Sequence, residues 1–276
     1  MVFMNCRYRF LAFAVSFLPL AVCAEPRLSS ISLPEGFTIE VYADDVENAR
    51  QMALGDGGTL FVGSRRKGDV YAISDTDGDQ KADFVRVIDS NLHMPSGVEF
   101  RNGALYVGAV NRILRYDDIE ARLDFPPPSV LVSDALPSDR HHGWKYLRFG
   151  PDGLLYIPVG APCNVCEEQD HLQIRRMQPD GSGMEVFARG VRNSVGLTFH
   201  PVTGSLWFTD NGRDHMGDDL PSDELNHAPE MGMHFGFPFC HQGDTLDPKF
   251  GIGKDCADYE PPAAKPGAHV ATLGLT

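Results

Sequence analysis

Gly58-Thr59-Leu60-Phe61-Val62 is the stretch that decides the fold, because the chain repeats it three more times. The other copies are Gly103–Val107, Gly153–Ile157 and Gly204–Phe208, and the leucines at the third position are 45, 50 and 51 residues apart. Each block follows a turn, and a short apolar strand precedes each turn. A strand–turn–strand unit recurring near every 50 residues is typical of a β-propeller with one four-stranded blade per repeat. The sequence therefore predicts an all-β propeller.

The last residues begin a fifth copy. Leu273–Thr276 repeats the pattern of Val195–Thr198. We therefore expect residues 25–276 to hold blades 1–4 and the start of blade 5 of an incomplete propeller. An open ring leaves the outer face of its fourth blade bare, and it deprives the first strand, expected over 36–42, of a partner in a closing blade. We expect such a piece alone to be inactive and poorly soluble.

The N-terminal residues have the pattern of a secretory signal. Arg7 and Arg9 form a basic start, an apolar run follows from Phe10 to Val22, and Val22-Cys23-Ala24 is a small-residue cleavage site. Residues 1–24 are therefore predicted to be a signal peptide, and the protein to be exported, either periplasmic or secreted. A lipoprotein signal is disfavoured by the bulky Val22. The apolar run is too short for an integral membrane span.

Composition excludes several kinds of partner. The chain of 276 residues is 42% hydrophobic and 22% charged, which is ordinary for a globular protein. Its net charge of −14 argues against nucleic acid and anionic lipid as partners, and is compatible with calcium or a neutral substrate.

Four cysteines follow the signal region. In an oxidising compartment Cys163, Cys166, Cys240 and Cys256 are disulfide candidates with three possible connectivities, and local pairing is the simplest. Glu167 stands where a c-type haem attachment motif needs His. A structural loop staple is favoured over a redox motif.

An acidic loop offers ligands for a hard cation. Asp75, Asp77, Asp79 and Asp83 alternate along a tight turn, which could direct several carboxylate oxygens to one calcium ion. The loop differs from an EF-hand because Gly78 is the fourth residue of the loop. A solvated hairpin between outer strands of the first blade is the alternative, and a bound calcium would have a structural role.

Two repeats carry polar residues where the chain enters an inner strand. In a propeller this loop opens on the mouth of the central channel. His141-His142-Gly143-Trp144 holds that position in the third repeat, and Arg192-Asn193 holds it in the fourth. His142 and Arg192 are therefore expected to face one channel. The alternatives are a structural histidine and an arginine that bridges blades.

A stretch rich in acids and glycine follows the fourth block. It contains Thr209–Asp214, Asp218-Asp219 and Asp223–Asn226. Backbone carbonyls here could help to hold a second calcium, or the stretch could be a polar loop.

Several ordered motifs carry a family resemblance. These are Arg192–Leu197, Asp210–Gly212, Asp223–Asn226 and His234–Pro238, with His142 eight residues before Gly150. Over residues 33–276 the set resembles the glucose/sorbosone dehydrogenase family of soluble quinoprotein sugar dehydrogenases, most of all its L-sorbosone dehydrogenase-like branch. The resemblance implies a six-bladed propeller that binds pyrroloquinoline quinone (PQQ) and Ca²⁺, oxidises a sugar or aldose and passes electrons to an external acceptor.

The resemblance also implies roles for individual residues. His142 resembles the general base that removes the substrate hydroxyl proton, with hydride passing to the quinone. Arg192 and Asn193 resemble the pair that contacts the quinone oxygens, with Arg192 stabilising developing charge. Gly212 and Arg213 resemble the positions whose main-chain carbonyls bind the calcium.

Two departures from the family pattern stand out. The acid that orients the base histidine in soluble glucose dehydrogenases corresponds to Ala161, so no obvious side chain fixes the tautomer of His142. The candidate substitutes are His141 and a carboxylate elsewhere in the chain. The basic residues that neutralise the PQQ carboxylates belong to the family's last blades, beyond Thr276. Residues 25–276 alone are therefore expected not to hold PQQ tightly.

Two rival functions come from other classes. One is a non-catalytic propeller that serves as a binding scaffold. The other is a calcium-dependent propeller lactonase that uses no quinone.

Overall fold

The computed structural model describes residues 28–276, and the expected signal peptide, residues 1–24, lies outside them. Residues 28–41 form a short unit with one 3-10 turn, Leu28–Ser30, and no strand. Residues from Tyr42 to Thr276 form a second, compact unit. No helix within residues 28–276 has the length and hydrophobicity needed to cross a bilayer.

The predicted all-β propeller is confirmed as four antiparallel four-stranded sheets, one for each repeat. Blade 1 comprises β1 (Ala49–Leu54), β2 (Leu60–Ser64), β3 (Val70–Ser74) and β4 (Phe84–Asp89). Blade 2 comprises β5 (Gly97–Arg101), β6 (Ala104–Gly108), β7 (Ile113–Tyr116) and β8 (Val130–Ser133). A 3-10 turn, Glu120–Arg122, lies between β7 and β8.

The third and fourth repeats build blades of the same order. Blade 3 comprises β9 (Arg148–Phe149), β10 (Leu155–Val159), β11 (Gln173–Met177) and β12 (Glu185–Arg189). Blade 4 comprises β13 (Gly196–Phe199), β14 (Leu206–Asp210), β15 (Ser222–Ala228) and β18 (Ala264–Ala268). Before β18 the chain inserts a small hairpin and a 3-10 turn: β16 (Cys240–His241), β17 (Thr245–Leu246) and Cys256–Asp258.

The repeated block forms the second strand of every blade. Its apolar run is continuous because neighbouring blades cover both faces of the sheet. In β6, Leu105 and Val107 pack toward blade 1, whereas Ala104 and Tyr106 pack toward blade 3. In β10, Leu155 packs toward blade 2 and Tyr156 toward blade 4. Alternate side chains of one strand therefore serve two cores.

Two expectations about the ends of the chain need correction. No strand forms over 36–42, where Phe37 is 69% exposed, because the described chain offers this segment no strand to pair with. Leu273–Thr276 is also not a strand. It nevertheless packs along the inner edge of blade 4, where Thr209 Oγ1 donates to Leu273 O at 2.8 Å.

Gln51 joins the inner strands of three blades. From β1 its Oε1 accepts from Val98 N in β5 at 3.2 Å and from Leu147 N, just before β9, at 2.9 Å. Its Nε2 donates to Leu147 O at 2.7 Å. The inner strand of a blade has a neighbouring strand on one side only, so these backbone groups would otherwise lie buried without partners.

We expect Gln51→Ala to lower the free energy of unfolding by about 2–4 kcal/mol, because it leaves buried backbone groups of Val98 and Leu147 without a hydrogen-bond partner. Urea denaturation would measure the loss. Gln178→Ala removes an exposed glutamine side chain and is the matched control. Equal stability of the two variants would contradict the role of Gln51.

Candidate functional site

A cavity of about 270 Å³ occupies the centre of the propeller, where the inner strands begin. Successive repeats contribute its lining: Ala49, Arg50 and Gln51, then Ser96, then Trp144, Lys145 and Tyr146, then Val195, then Leu273 and Gly274. The segments that enter the inner strands of all four blades therefore contribute to one cavity, whereas His142 and Arg192 are not among its lining residues.

His142 contacts Trp144, which lines this cavity. Its backbone is in the left-handed region, with φ +47°, and its ring is buried. The ring contacts Trp144 edge-on at 5.8 Å and His141 at 4.1 Å between centroids. Nδ1 lies 3.0 Å from the carbonyl oxygen of Ala161. A carbonyl can only accept, so Nδ1 carries the proton and Nε2 is left with its lone pair.

The carbonyl of Ala161 thus holds the ring that was expected to need His141 or a further carboxylate. That expectation is wrong, because the sequence gives side chains and the acceptor is a backbone atom. The same residue links His142 to the fourth repeat, since Ala161 N donates to Arg192 O at 2.8 Å. A side chain at Gly160 would collide with both loops, with its Cβ 2.7 Å from His142 Cβ and 3.0 Å from Arg192 O.

His142 is held neutral by its surroundings. Burial lowers its pKa to about 3, and the positive charges of Arg192 and Arg65 together with His141 add to the decrease. The hydrogen bond to Ala161 opposes this shift only in part.

Arg192 lies beside this centre but does not line the channel cavity. Its guanidinium is buried and donates to Asn164 O at 2.9 Å, Asn164 Oδ1 at 2.8 Å and Asn211 O at 3.1 Å. Asp214 Oδ2 lies 3.6 Å away. The structure therefore brings Arg192 next to His142 through the backbone, while most of its donors point toward these neighbours.

Asp210 shapes the turn that carries Arg192 and Asn193. Its buried carboxylate accepts from Arg192 N at 2.8 Å and from Asn193 N at 2.6 Å. Burial raises the pKa of Asp210 to about 6, despite these donors and the charge of Arg192. Glu224 lies behind it, and burial followed by the charge of Asp210 raises the pKa of Glu224 to about 8. A buried acidic pair therefore supports the turn from within blade 4.

The side chain of Asn193 is half-buried and makes no hydrogen bond to any residue of 28–276. Gly212 and Arg213 follow β14, and within the same residues no donor reaches either carbonyl oxygen. The Gly212 amide is fixed by Asp223 Oδ1 at 2.7 Å, and the Arg213 side chain by Asp247 Oδ2 at 2.6 Å. These groups are fixed in position and free to take a ligand.

Sequence reasoning missed Asn164, although it sits inside the Cys-x-x-Cys motif. Both local disulfides are present, Cys163–Cys166 and Cys240–Cys256. The first encloses Asn164, whose Oδ1 accepts from Arg192 and also from Asp214 N at 2.9 Å. The second ties the blade 4 insertion together. Local pairing is confirmed, and the Cys163–Cys166 disulfide encloses Asn164, a hydrogen-bond partner of Arg192.

The acidic loop lies between β3 and β4, away from the channel. Oxygens of Asp75, Asp77 and Asp83 come within 4.8 Å of one another, and Asp79 is not part of this cluster. The carboxylates also brace the loop itself, since Asp75 accepts from Gly78 N and Gln80 N at 2.7 and 2.9 Å. Calcium binding by this loop stays a prediction.

Comparisons with known proteins agree with this architecture. A family model described as "Domain of unknown function (DUF7133)" matches residues 24–236. A relative described as an uncharacterized protein, from Borreliella burgdorferi, is 26% identical, over 99% of this chain and 74% of the relative.

Solved structures share the fold at low identity. An iodide structure of the Trichoderma reesei carbohydrate-active enzyme family AA12 has a TM-score of 0.75 at 19% identity, over 85% of this chain and 71% of that one. The holo pyranose dehydrogenase PQQ domain of Coprinopsis cinerea has a TM-score of 0.73 at 17% identity, over 85% of this chain and 69% of that one. The PQQ-bound aldose sugar dehydrogenase of Streptomyces coelicolor has a TM-score of 0.60 at 21% identity, over 82% of this chain and 70% of that one. The expected resemblance is confirmed for the fold.

We expect the imidazole of His142 to stay neutral from about pH 8 to about pH 5, because its pKa is lowered to about 3. The unfolded chain binds this proton near pH ~6.5, so stability should fall as the pH drops below that value. NMR of ¹⁵N-labelled imidazoles would give the tautomer and the titration, with exposed His215 as reference. A protonated Nε2 at pH 7, or protonation near pH 6, would contradict the assignment.

Proposed function

This chain belongs to the DUF7133 family, and we propose that it is a PQQ- and calcium-dependent dehydrogenase that oxidises a sugar or an aldose. The observation that carries the proposal is the buried imidazole of His142, whose Nδ1 lies 3.0 Å from the carbonyl oxygen of Ala161 and whose ring contacts Trp144 of the channel lining. The similarity in fold to the pyranose and aldose sugar dehydrogenases gives it further support.

The residues at the channel fit such a cofactor. Trp144 Nε1 is a buried donor without an acceptor among residues 28–276, and it lies beside the His142 ring. The Asn193 amide and the carbonyls of Gly212 and Arg213 are likewise free for a ligand. A buried donor without an acceptor costs about 1–3 kcal/mol, and a polar ligand would remove that penalty.

His142 acts as the general base in this proposal. Nε2 has its lone pair available at neutral pH, because burial and neighbouring positive charges disfavour the imidazolium. The Ala161 carbonyl keeps the ring from turning and stabilises the proton on Nδ1 when Nε2 accepts another from the sugar hydroxyl. PQQ, when bound, would accept the hydride from the sugar carbon that carries this hydroxyl.

Arg192 and Asn193 would hold the quinone end of the cofactor. The buried guanidinium supplies fixed positive charge, and the amide of Asn193 supplies a free donor. Asn164 already occupies two guanidinium positions, so Arg192 acts mainly through its charge in this arrangement. The carbonyls of Gly212 and Arg213 would hold Ca²⁺, which prefers oxygen ligands.

The cellular setting is part of the proposal. Repeated turnover would require an external electron acceptor that reoxidises the bound cofactor. Export to the periplasm or the exterior is supported by the pattern of residues 1–24 and by the two disulfides, which persist in oxidising compartments.

Because the open ring alone is expected to be inactive, the test uses a protein in which further blades close the ring. We expect that protein to bind PQQ in the presence of Ca²⁺ and to reduce it when an aldose is added. Calorimetry would measure binding, and the absorbance of the quinone would report reduction. Chelation of the metal should weaken both. Sugar binding without quinone binding would favour the scaffold alternative, and lactone hydrolysis with metal alone would favour the lactonase.

His142→Gln should lower kcat by ~10²-fold or more, because the base is lost while the side chain keeps a similar size. PQQ affinity should change little. His200→Gln alters an exposed histidine on a turn of blade 4 and is the control. If His142→Gln leaves kcat unchanged in protein that binds PQQ, another residue is the base.

A further inference from the structure

Three arginines of blade 1 lie together beside the channel. Arg50 is in β1 and lines the cavity, while Arg65 and Arg66 follow β2. Because β1 and β2 pair with Ala49 opposite Ser64, the three residues share one end of the blade. Asn48 fixes this end, since its O and Oδ1 accept from Arg65 N at 3.2 Å and Arg66 N at 2.8 Å. We refer to Arg50, Arg65 and Arg66 as the arginine cluster.

None of these guanidinium groups has a hydrogen bond or a carboxylate partner within residues 28–276. Two acids near the cluster pair with Lys67 instead: its Nζ lies 3.3 Å from Glu47 Oε2 and 3.9 Å from Asp69 Oδ2. Burial and the charges of Arg50 and Arg66 lower the pKa of Arg65, as expected for positive groups without a counter-ion. In a chain of net charge −14, these three arginines, unpaired among residues 28–276, make this edge of blade 1 locally positive.

The arginine cluster is connected to the proposed base. The Arg65 guanidinium lies 3.9 Å from the ring centroid of Trp144, and Trp144 contacts His142 at 5.8 Å. Stacking on Trp144 leaves the edge of the guanidinium available for hydrogen bonds. Trp144 Nε1 is itself a buried donor with no acceptor in the part of the chain that the structure describes. Donors from blades 1 and 3 therefore surround the same side of the channel.

We propose that the arginine cluster binds the negative group of an anionic sugar, so that the substrate class is sugar acids rather than neutral aldoses. This inference rests on the proposed function. A planar guanidinium pairs with a carboxylate through two parallel hydrogen bonds, and several guanidinium groups compensate its charge. With the anionic end held on blade 1, a hydroxyl of the same molecule is presented toward His142.

The test uses the full chain without PQQ, so its outcome does not depend on redox chemistry. The protein has two tryptophans, and Trp207→Phe assigns the indole N–H resonance of Trp144. D-Glucuronate should shift this resonance at concentrations at least ~10-fold lower than D-glucose. Glucose 6-phosphate, as a third probe, tells whether a carboxylate or a phosphate supplies the charge. Higher salt should weaken the binding of either anion.

The double variant R65Q/R66Q should lose at least ~10-fold in glucuronate affinity, which corresponds to about 1.4 kcal/mol. Arg65→Lys keeps the charge and should retain part of the affinity. The exposed Arg66→Gln alone is a second variant in case the double variant does not fold. Arg122→Gln, an exposed arginine on the 3-10 turn of blade 2, is the matched control.

Three outcomes would overturn the inference. The first is that glucose binds as tightly as glucuronate, and the second is that R65Q/R66Q binds glucuronate like the parent protein. The third is that R65Q/R66Q loses affinity for PQQ with glucuronate binding unchanged, which would assign the cluster to the carboxylates of the cofactor. Failure of PQQ to bind at all would contradict the proposed function and leave the sugar-binding result interpretable by itself.

Discussion

The inner strands of a propeller have a neighbouring strand on only one side. The rest of this structure depends on how the backbone N–H and C=O groups on their open side find hydrogen-bond partners. Gln51 satisfies part of it by exchanging hydrogen bonds with backbone groups of β5 and of the segment before β9. A side chain of blade 1 thereby fixes the spacing of blades 2 and 3 at the channel. Through Leu147, this arrangement also holds the chain three residues after Trp144.

The candidate site combines buried charge with backbone hydrogen bonding. Asp210 holds the Arg192–Asn193 turn by accepting from both amides, and the turn in turn presents Arg192 O to Ala161. Ala161 then orients His142. Each contact in this series uses a main-chain atom on at least one side, so the relative placement of base and arginine is tied to the fold itself.

Charge is distributed unevenly over the molecule. The chain is strongly acidic overall, yet the edge of blade 1 at the channel carries positive groups that have no partner among residues 28–276. Blade 4 shows the opposite situation, with Asp210 and Glu224 buried and their pKa values raised by burial. The channel therefore lies between a positive edge and a buried acidic interior.

Much of the architecture was predictable from the repeated Gly-x-Leu-aromatic block, because a strand buried on both faces must be apolar throughout and a propeller must repeat it. The entering-loop positions of His142 and Arg192, and the local disulfides, followed from the same repeat and from short spacing.

Other features depended on tertiary structure. The segment 36–42 has strand-like residues but no partner, and the Arg192 guanidinium turns to Asn164. The acceptor for His142 is a carbonyl, which every residue possesses and no sequence pattern distinguishes. The repeat thus determined which positions meet at the channel, whereas long-range packing decided which atoms there are bonded and which remain free.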